Sequence, residues 1–245
     1  MALIETTKGT AIAGAPISCD RCPIARHAVY GGLRERLSQM TSLRRAQRSI
    51  DAGKLILREG EVVETVYTLF EGWAFKYKML REGSRQVLAY YIPGDLLVAQ
   101  AISEMPLPFS VRAATRVSLC AFDAASYFPA MMVAPETRNG LRDYMFACHN
   151  ETDELLTALG QRSALPRFAC LLASLARRME ERGLATDGVF RIPISQNLIA
   201  DTLGLTHVYV NRIAGQLRRE GALEILRNEI RVLDVDALDA YAELT

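Results

Sequence analysis

Residues 194–223, ISQNLIADTLGLTHVYVNRIAGQLRREGAL, decide how the rest of the chain is read. Ser195 is a good N-cap, since its hydroxyl accepts from an orphan N–H of the first helical turn, and Leu198, Ile199 and Leu203 follow at helical spacing. Gly204 stops that helix, because glycine takes the left-handed conformation without a Cβ penalty. Thr206 caps a second helix in which Val210, Ile213, Ala214 and Leu217 fall at i, i+3, i+4 and i+7 as a core-facing stripe. Val208, Asn211, Arg212, Gly215 and Arg219 then point outward. His207, Val208, Tyr209, Asn211 and Arg212 are placed to meet a partner. Two short helices around a tight turn with a free polar face suggest a helix-turn-helix, whose second helix enters the major groove of double-stranded DNA with its N-terminal residues at base edges. Arg212 is the leading base reader, because arginine pairs bidentately with guanine. Residues 206–219 carry Arg212, Arg218 and Arg219 and no acid, the local positive charge that phosphates require. The plainer alternative is a helical hairpin whose polar face is only solvated.

The rest of the chain sets the bounds. Its 245 residues exceed the usual single-domain size of roughly 100 to 150. Half are apolar, enough for a sizeable core, and a net charge of +1 leaves any nucleic-acid function to a local surface. No apolar run reaches the length of a membrane span, and residues 1–18 lack a basic start followed by a long hydrophobic block, so a cytoplasmic chain with a free N-terminal arm and no membrane partner is expected. Five cysteines without an export signal argue for reduced thiols or metal ligands. Cys19 and Cys22 form a C-x-x-C pair, which supplies two of the four ligands that zinc or an iron–sulfur cluster normally takes; His27, Cys120, Cys148, His149 and Cys170 are the candidates for the others. The three histidines, His27, His149 and His207, are scattered, with no phosphate loop and no nucleophile–base pair, so no enzyme is expected.

Residues 31–41 are basic and helical in character, and residues 43–50 continue that way. Gly60, Gly72, Gly83 and Gly94 then recur at intervals of 12, 11 and 11, separated by VVETVYTLF, WAFKYKML and QVLAYYI. Strand, turn and strand at that spacing predict an antiparallel barrel or jelly roll, completed by residues 109–114 and 117–122, around a ligand pocket or a packed core. Residues 136–160 predict a long helix with Leu141, Met145, Cys148, Thr152, Leu155 and Leu159 as a heptad seam, facing either a second copy or the barrel. A helix over 166–182, a strand over 189–194, a hairpin over 223–233 with Arg227 and Arg231 near phosphates, and a short final helix complete a winged helix-turn-helix. The expected class is α+β: an N-terminal arm and helix (1–45), a barrel or jelly-roll sensor domain (46–134), a dimerisation helix (135–162) and a winged helix-turn-helix domain (163–245).

This order, with PGD at Pro93 to Asp95, the glycine ladder and IADTLGLTHVYVNRIAGQLRREGAL, resembles the Crp/Fnr family of bacterial transcription regulators. The resemblance implies a homodimer that reads a palindromic site under control of a signal sensed in the N-terminal domain. It further implies that Ser195, Gln196 and Thr206 contact phosphate, which positions without specifying sequence. Cyclic-nucleotide binders of the family carry Gly-Glu and Arg-Ser or Arg-Thr where this chain has Val98-Ala99 and Phe109-Ser110. Arg112 is out of register, which argues against cyclic AMP. The oxygen-sensing branch implies an iron–sulfur cluster on Cys19, Cys22 and Cys120, but a fourth cysteine is missing at Ala28 or Tyr30; either His27 or Asp20 completes the set, or the cysteines are the relic of a lost cluster. Where the family commonly has glutamate one turn before the reading arginine, this chain has Val208, so a different half-site is expected, and the sequence from His207 to Arg212 is more similar to regulators of rhizobia and related bacteria. The loop 81–86 matches a surface that touches RNA polymerase in activators. The rival reading is a metal, redox or ligand-binding protein whose helix-turn-helix serves only packing or partner contact.

Overall fold

The computed structural model describes residues 10–11, 19, 22, 41–97 and 105–243. The chain divides into two compact units, Met1–Lys78 with Tyr90–Met145, and Met79–Ala89 with Phe146–Thr245. In the N-terminal region, β1 (Thr10–Ala11), β2 (Arg44–Ile50), β8 (Val117–Asp123) and β4 (Thr65–Glu71) form one antiparallel sheet in the order β1-β2-β8-β4. A second has the order β3-β7-β5-β6, from β3 (Leu55–Leu57), β7 (Ser110–Ala113), β5 (Ala74–Met79) and β6 (Arg85–Tyr91). The jelly-roll expectation holds in this form, whereas a closed barrel does not: the strands sort into two separate four-stranded sheets.

Strand β8 shows why. Its run VSLCAF is buried on both faces, as a continuous apolar strand should be when both its edges are paired. β2 and β4 flank it, placing Gln47 and Thr68 opposite Cys120. The helical reading of residues 43–50 is corrected here, since Arg44–Ile50 is strand β2. Its arginines have high helical propensity, but pairing with β1 and β8 along both edges overrides it. The proposed helix over 31–41 falls almost wholly outside the described residues.

Two of the glycine-ladder turns explain the chain path. Gly72 has φ +84°, and a Cβ there would lie 2.2 Å from the Arg116 carbonyl oxygen, so only glycine fits between β4 and β5. In the PGD turn, Asp95 is fully buried and its carboxylate accepts from Ile92 N at 2.7 Å. The Tyr144 hydroxyl donates to the other carboxylate oxygen at 3.3 Å and accepts from Leu96 N at 3.0 Å. The sequence reading passed over helix α1 (Ala124–Val133), which contains Pro129 and buries Tyr127 edge-on against Phe128. Its buried Ala124, Tyr127, Phe128 and Met131 fall at i, i+3, i+4 and i+7, but Met132 and Val133 on the exposed face are apolar too and Pro129 interrupts the run, so the stripe does not stand out in the sequence.

Helix α2 (Pro135–Gln161) follows. Its seam is uneven: Leu141 is buried, Cys148, Leu155 and Leu159 are half-buried, and Met145 and Thr152 are exposed. The large exposed apolar side chains on α2 include Phe146 and Leu156, which lie off that seam. Helix α3 (Ala164–Glu181) buries Phe168, Leu172 and Leu175 and leaves Leu171 half-buried. Arg178 on α3 pairs with Glu151 on α2 at 2.9 Å. The C-terminal elements are β9 (Phe190–Ile192), α4 (Gln196–Leu203), α5 (His207–Arg219), β10 (Leu223–Leu226), β11 (Glu229–Val232) and α6 (Val235–Ala242), with a three-stranded sheet in the order β10-β11-β9. Helix α6 starts on Asp234, whose carboxylate accepts from Ala237 N at 2.9 Å, and packs on α3, where Arg177 pairs with Asp239. None of the described helices is long and apolar enough to cross a membrane.

Candidate nucleic-acid interface

Helices α4 and α5 begin and end as their residue types dictate. The Ser195 hydroxyl accepts from Leu198 N at 3.3 Å, and Gly204 ends α4 in the left-handed conformation at φ +62°. The Thr206 hydroxyl accepts from Tyr209 N at 3.2 Å and so caps α5. Val210, Ile213, Ala214 and Leu217 are buried, which fixes the rotation of α5. His207, Val208, Asn211, Arg212 and Arg219 consequently face solvent, and Val208 is 77% exposed. An apolar side chain that exposed on a helix gains nothing from the fold and is free to meet a partner.

Polar contacts order this surface. Asn211 Nδ2 donates to Gln196 Oε1 at 3.1 Å, tying the start of α4 to the outer face of α5. The Arg212 guanidinium lies over the Tyr209 ring, 4.3 Å from its centroid. Ser195, Gln196 and His207 share one cleft of about 430 Å³ with Asn197, Arg227 and Asn228, which brings the starts of α4 and α5 to the tip of the β10–β11 hairpin. Helix starts and an arginine beside a cleft favour an anion, because the helix dipole places positive charge at its N-terminus. Asn197 and Asn228 were not singled out from sequence, as asparagine at a helix start or hairpin tip reads there as ordinary turn chemistry. Arg231 pairs with Glu229 at 2.7 Å and Glu224 at 3.3 Å, and Arg227 is the wing arginine that lines the cleft.

The back of α4 is held independently. Gln86 Nε2 donates to Thr202 O at 2.9 Å, Arg85 pairs with Asp201, and Arg167 Nη1 donates to Leu203 O at 2.9 Å. Gln86 and Arg167 thereby satisfy carbonyls at the helix C-terminus, and Arg85 and Arg167 place positive charge there, where it is favoured. Arg167 also donates to Arg162 O at 2.9 Å, so one side chain joins the α2–α3 junction to α4. No sequence signal pointed to these contacts, which span up to 116 residues.

Residues 166–241 match the Crp-like helix-turn-helix domain, and residues 47–132 match the cyclic nucleotide-binding domain. The transcriptional activatory protein AadR of Rhodopseudomonas palustris is 30% identical over 187 residues, 76% of this chain and 77% of that protein. The chain belongs to the Crp/Fnr family. The nitrogen fixation regulation protein FixK of Bradyrhizobium diazoefficiens is 28% identical over 91% of this chain and 93% of its own length. The structure of FixK2 from Bradyrhizobium japonicum superposes with a TM-score of 0.71 at 25% identity, covering 82% of this chain and 98% of that one. This Crp/Fnr protein is therefore a transcription regulator, not an enzyme, with a DNA-binding helix-turn-helix behind a sensor domain of the cyclic-nucleotide-binding fold.

Arg112 donates to Gly53 O at 2.7 Å and to the Tyr77 hydroxyl at 3.2 Å, and Ser110 Oγ accepts from Glu59 N at 3.0 Å. Residues 98–104, which include Val98 and Ala99, lie outside the described residues. Cys19 and Cys120 are buried and Cys22 is half-buried. Burial pushes the Cys120 thiol up to about 11; Arg44 opposes this, and charge on Cys22 and Cys19 adds to it. Among the described residues no three or more His, Cys, Asp or Glu side chains are grouped to hold a metal ion. His27, Asp20, Ala28 and Tyr30 lie outside them.

Proposed function

We propose that this Crp/Fnr regulator acts in the cytoplasm as a homodimer that reads a palindromic promoter site through α5, with Arg212 at a guanine. Val208 faces the neighbouring base as an apolar contact, such as a thymine methyl, so its half-site differs from one read by a glutamate there. Ser195, Gln196 and Thr206 lie against phosphates, and Arg219 adds a contact that does not depend on sequence. The observation that carries this reading is the outer face of α5, where His207, Val208, Asn211 and Arg212 are exposed and no acid lies between Thr206 and Arg219. The exposed Met145, Phe146 and Leu156 of α2 support pairing of two copies along that helix, because large apolar groups left in solvent on one helix fit a surface that meets a partner.

The signal acts by population shift: it binds or modifies one arrangement of the dimer better than the other and so changes the fraction competent for DNA. Oxygen or redox state is the signal class that Cys19, Cys22 and Cys120 support, since Cys19 and Cys22 lie within electrostatic reach of Cys120; cyclic AMP is disfavoured by the contacts that Arg112 already makes. As an activator the protein touches RNA polymerase through the exposed tip at residues 81–84, since Arg85 and Gln86 are engaged with α4. Gel shift of the full chain on promoter-length random duplex DNA, with and without reductant, tests the reading. Sequence-selective complexes of dimer size are expected, and equal binding to every sequence under both conditions would refute it.

A further inference from the structure

We infer that Tyr209 is the positioning residue for the base-reading arginine, its ring holding the Arg212 guanidinium in the orientation from which it meets a base edge. The inference rests on the reading of α5 as the base-reading helix. Tyr209 and Arg212 are three residues apart, so their side chains meet on one face of the helix. The guanidinium carbon lies 4.3 Å from the ring centroid, inside the roughly 6 Å over which the ring face attracts a cation.

Position on the helix makes the ring the fixed partner. Tyr209 is half-buried, at the border between the core stripe and the outer face, whereas Arg212 is exposed. Val208, one turn before Arg212, has no polar atom that could hold the guanidinium. Asn211 is tied to Gln196 and does not compete for it. Among the described residues no carboxylate or carbonyl engages Arg212, and the ring is its side-chain partner. A carboxylate would consume N–H donors, while a ring contacts the π face and leaves those donors for guanine O6 and N7. An exposed arginine also loses much rotamer freedom when fixed against a base, and a ring that orders it beforehand removes part of that loss from the binding step.

The test is selection from duplex DNA with a randomised half-site, read as base preference at each position, for full-length wild type, Arg212→Ala, Tyr209→Phe, Tyr209→Leu and the double variant Tyr209→Leu/Arg212→Ala. Tyr209→Leu should lower discrimination about two- to fivefold at the same base pair whose preference Arg212→Ala abolishes. Tyr209→Phe should keep wild-type discrimination, the double variant should match Arg212→Ala at that base pair, and binding to non-selected DNA should not change. Unchanged preference in Tyr209→Leu overturns the inference, as does loss at a different base pair, which would make Tyr209 itself a reader. So does a Tyr209→Phe defect equal to that of leucine, or a loss shared by all sequences. A wild type that enriches no sequence would instead remove the base-reading role of α5, and this inference with it.

Discussion

Arg212 and Arg219 lie on one helix two turns apart and are expected to act differently. Arg212, in the second turn of α5, is proposed to reach a base edge, so Arg212→Ala should cost about 1–3 kcal/mol of specific binding and relax the preference at one base pair. Arg219 is exposed in the last turn and is proposed to meet phosphate, so Arg219→Ala should weaken all sequences alike and reduce the salt dependence of binding. Titration on specific and random DNA at two salt concentrations checks both, and identical profiles would refute the division. Cys120 makes a second prediction. Its folded thiol is raised from an ordinary value of 9.0 to about 11, chiefly by burial, so its contribution to stability is fully present below pH 9 and is lost as pH rises through about 11. At 1.36 kcal/mol per unit, the loss amounts to about 2–3 kcal/mol. Denaturant melts at pH 8 and pH 11 should show wild type losing that much more than Cys120→Ala; parallel losses would contradict the neutral buried thiol. The caps Ser195 and Thr206 and the outward set on α5 were legible because short polar side chains at helix starts and an apolar 3.6-residue period are local signals. The Arg212–Tyr209 contact was not, since spacing brings two side chains to one face without saying that one rests on the other.

The elements carry their own evidence. Gly72 joins β4 to β5 at a positive φ with the Arg116 carbonyl where a Cβ would stand, so Gly72→Ala should cost at least about 1–3 kcal/mol, read as a lowered thermal midpoint with unchanged cooperativity. A variant as stable as wild type would mean that the turn relaxes freely. The glycine ladder made the strands around it legible, because turns that require glycine recur at the strand length. Strand β2 was misread as helix because its arginines are good helix formers and its partner β8 lies about seventy residues later, where no local pattern can announce it. Arg85 with Asp201 and Gln86 with Thr202 were hidden for the same reason. The heptad spacing of α2 was real as a sequence pattern, but its residues divide between buried Leu141 and exposed Met145, and the large exposed groups Phe146 and Leu156 stand beside it.

For the whole molecule, the dimer and the signal are the claims at stake. Leu156→Asp places a charge on the exposed apolar face of α2, which should shift the protein toward monomer in sedimentation and weaken binding to a two-half-site duplex by tenfold or more, because linked half-sites bind at high effective concentration. A variant that stays dimeric would move the interface elsewhere. Anaerobic purification with iron analysis decides whether Cys19, Cys22 and Cys120 hold a cluster: brown protein bleached by Cys120→Ser shows that they do, and colourless, iron-free protein that binds DNA fully shows that they do not. The central claim is sequence-selective DNA reading by two copies through α5. Sequencing the duplexes that wild-type protein enriches from a fully randomised pool tests it most directly: the account predicts two half-sites related by a two-fold axis, with a guanine preference that disappears in Arg212→Ala, and enrichment of no sequence, or of one unchanged by that substitution, would contradict it.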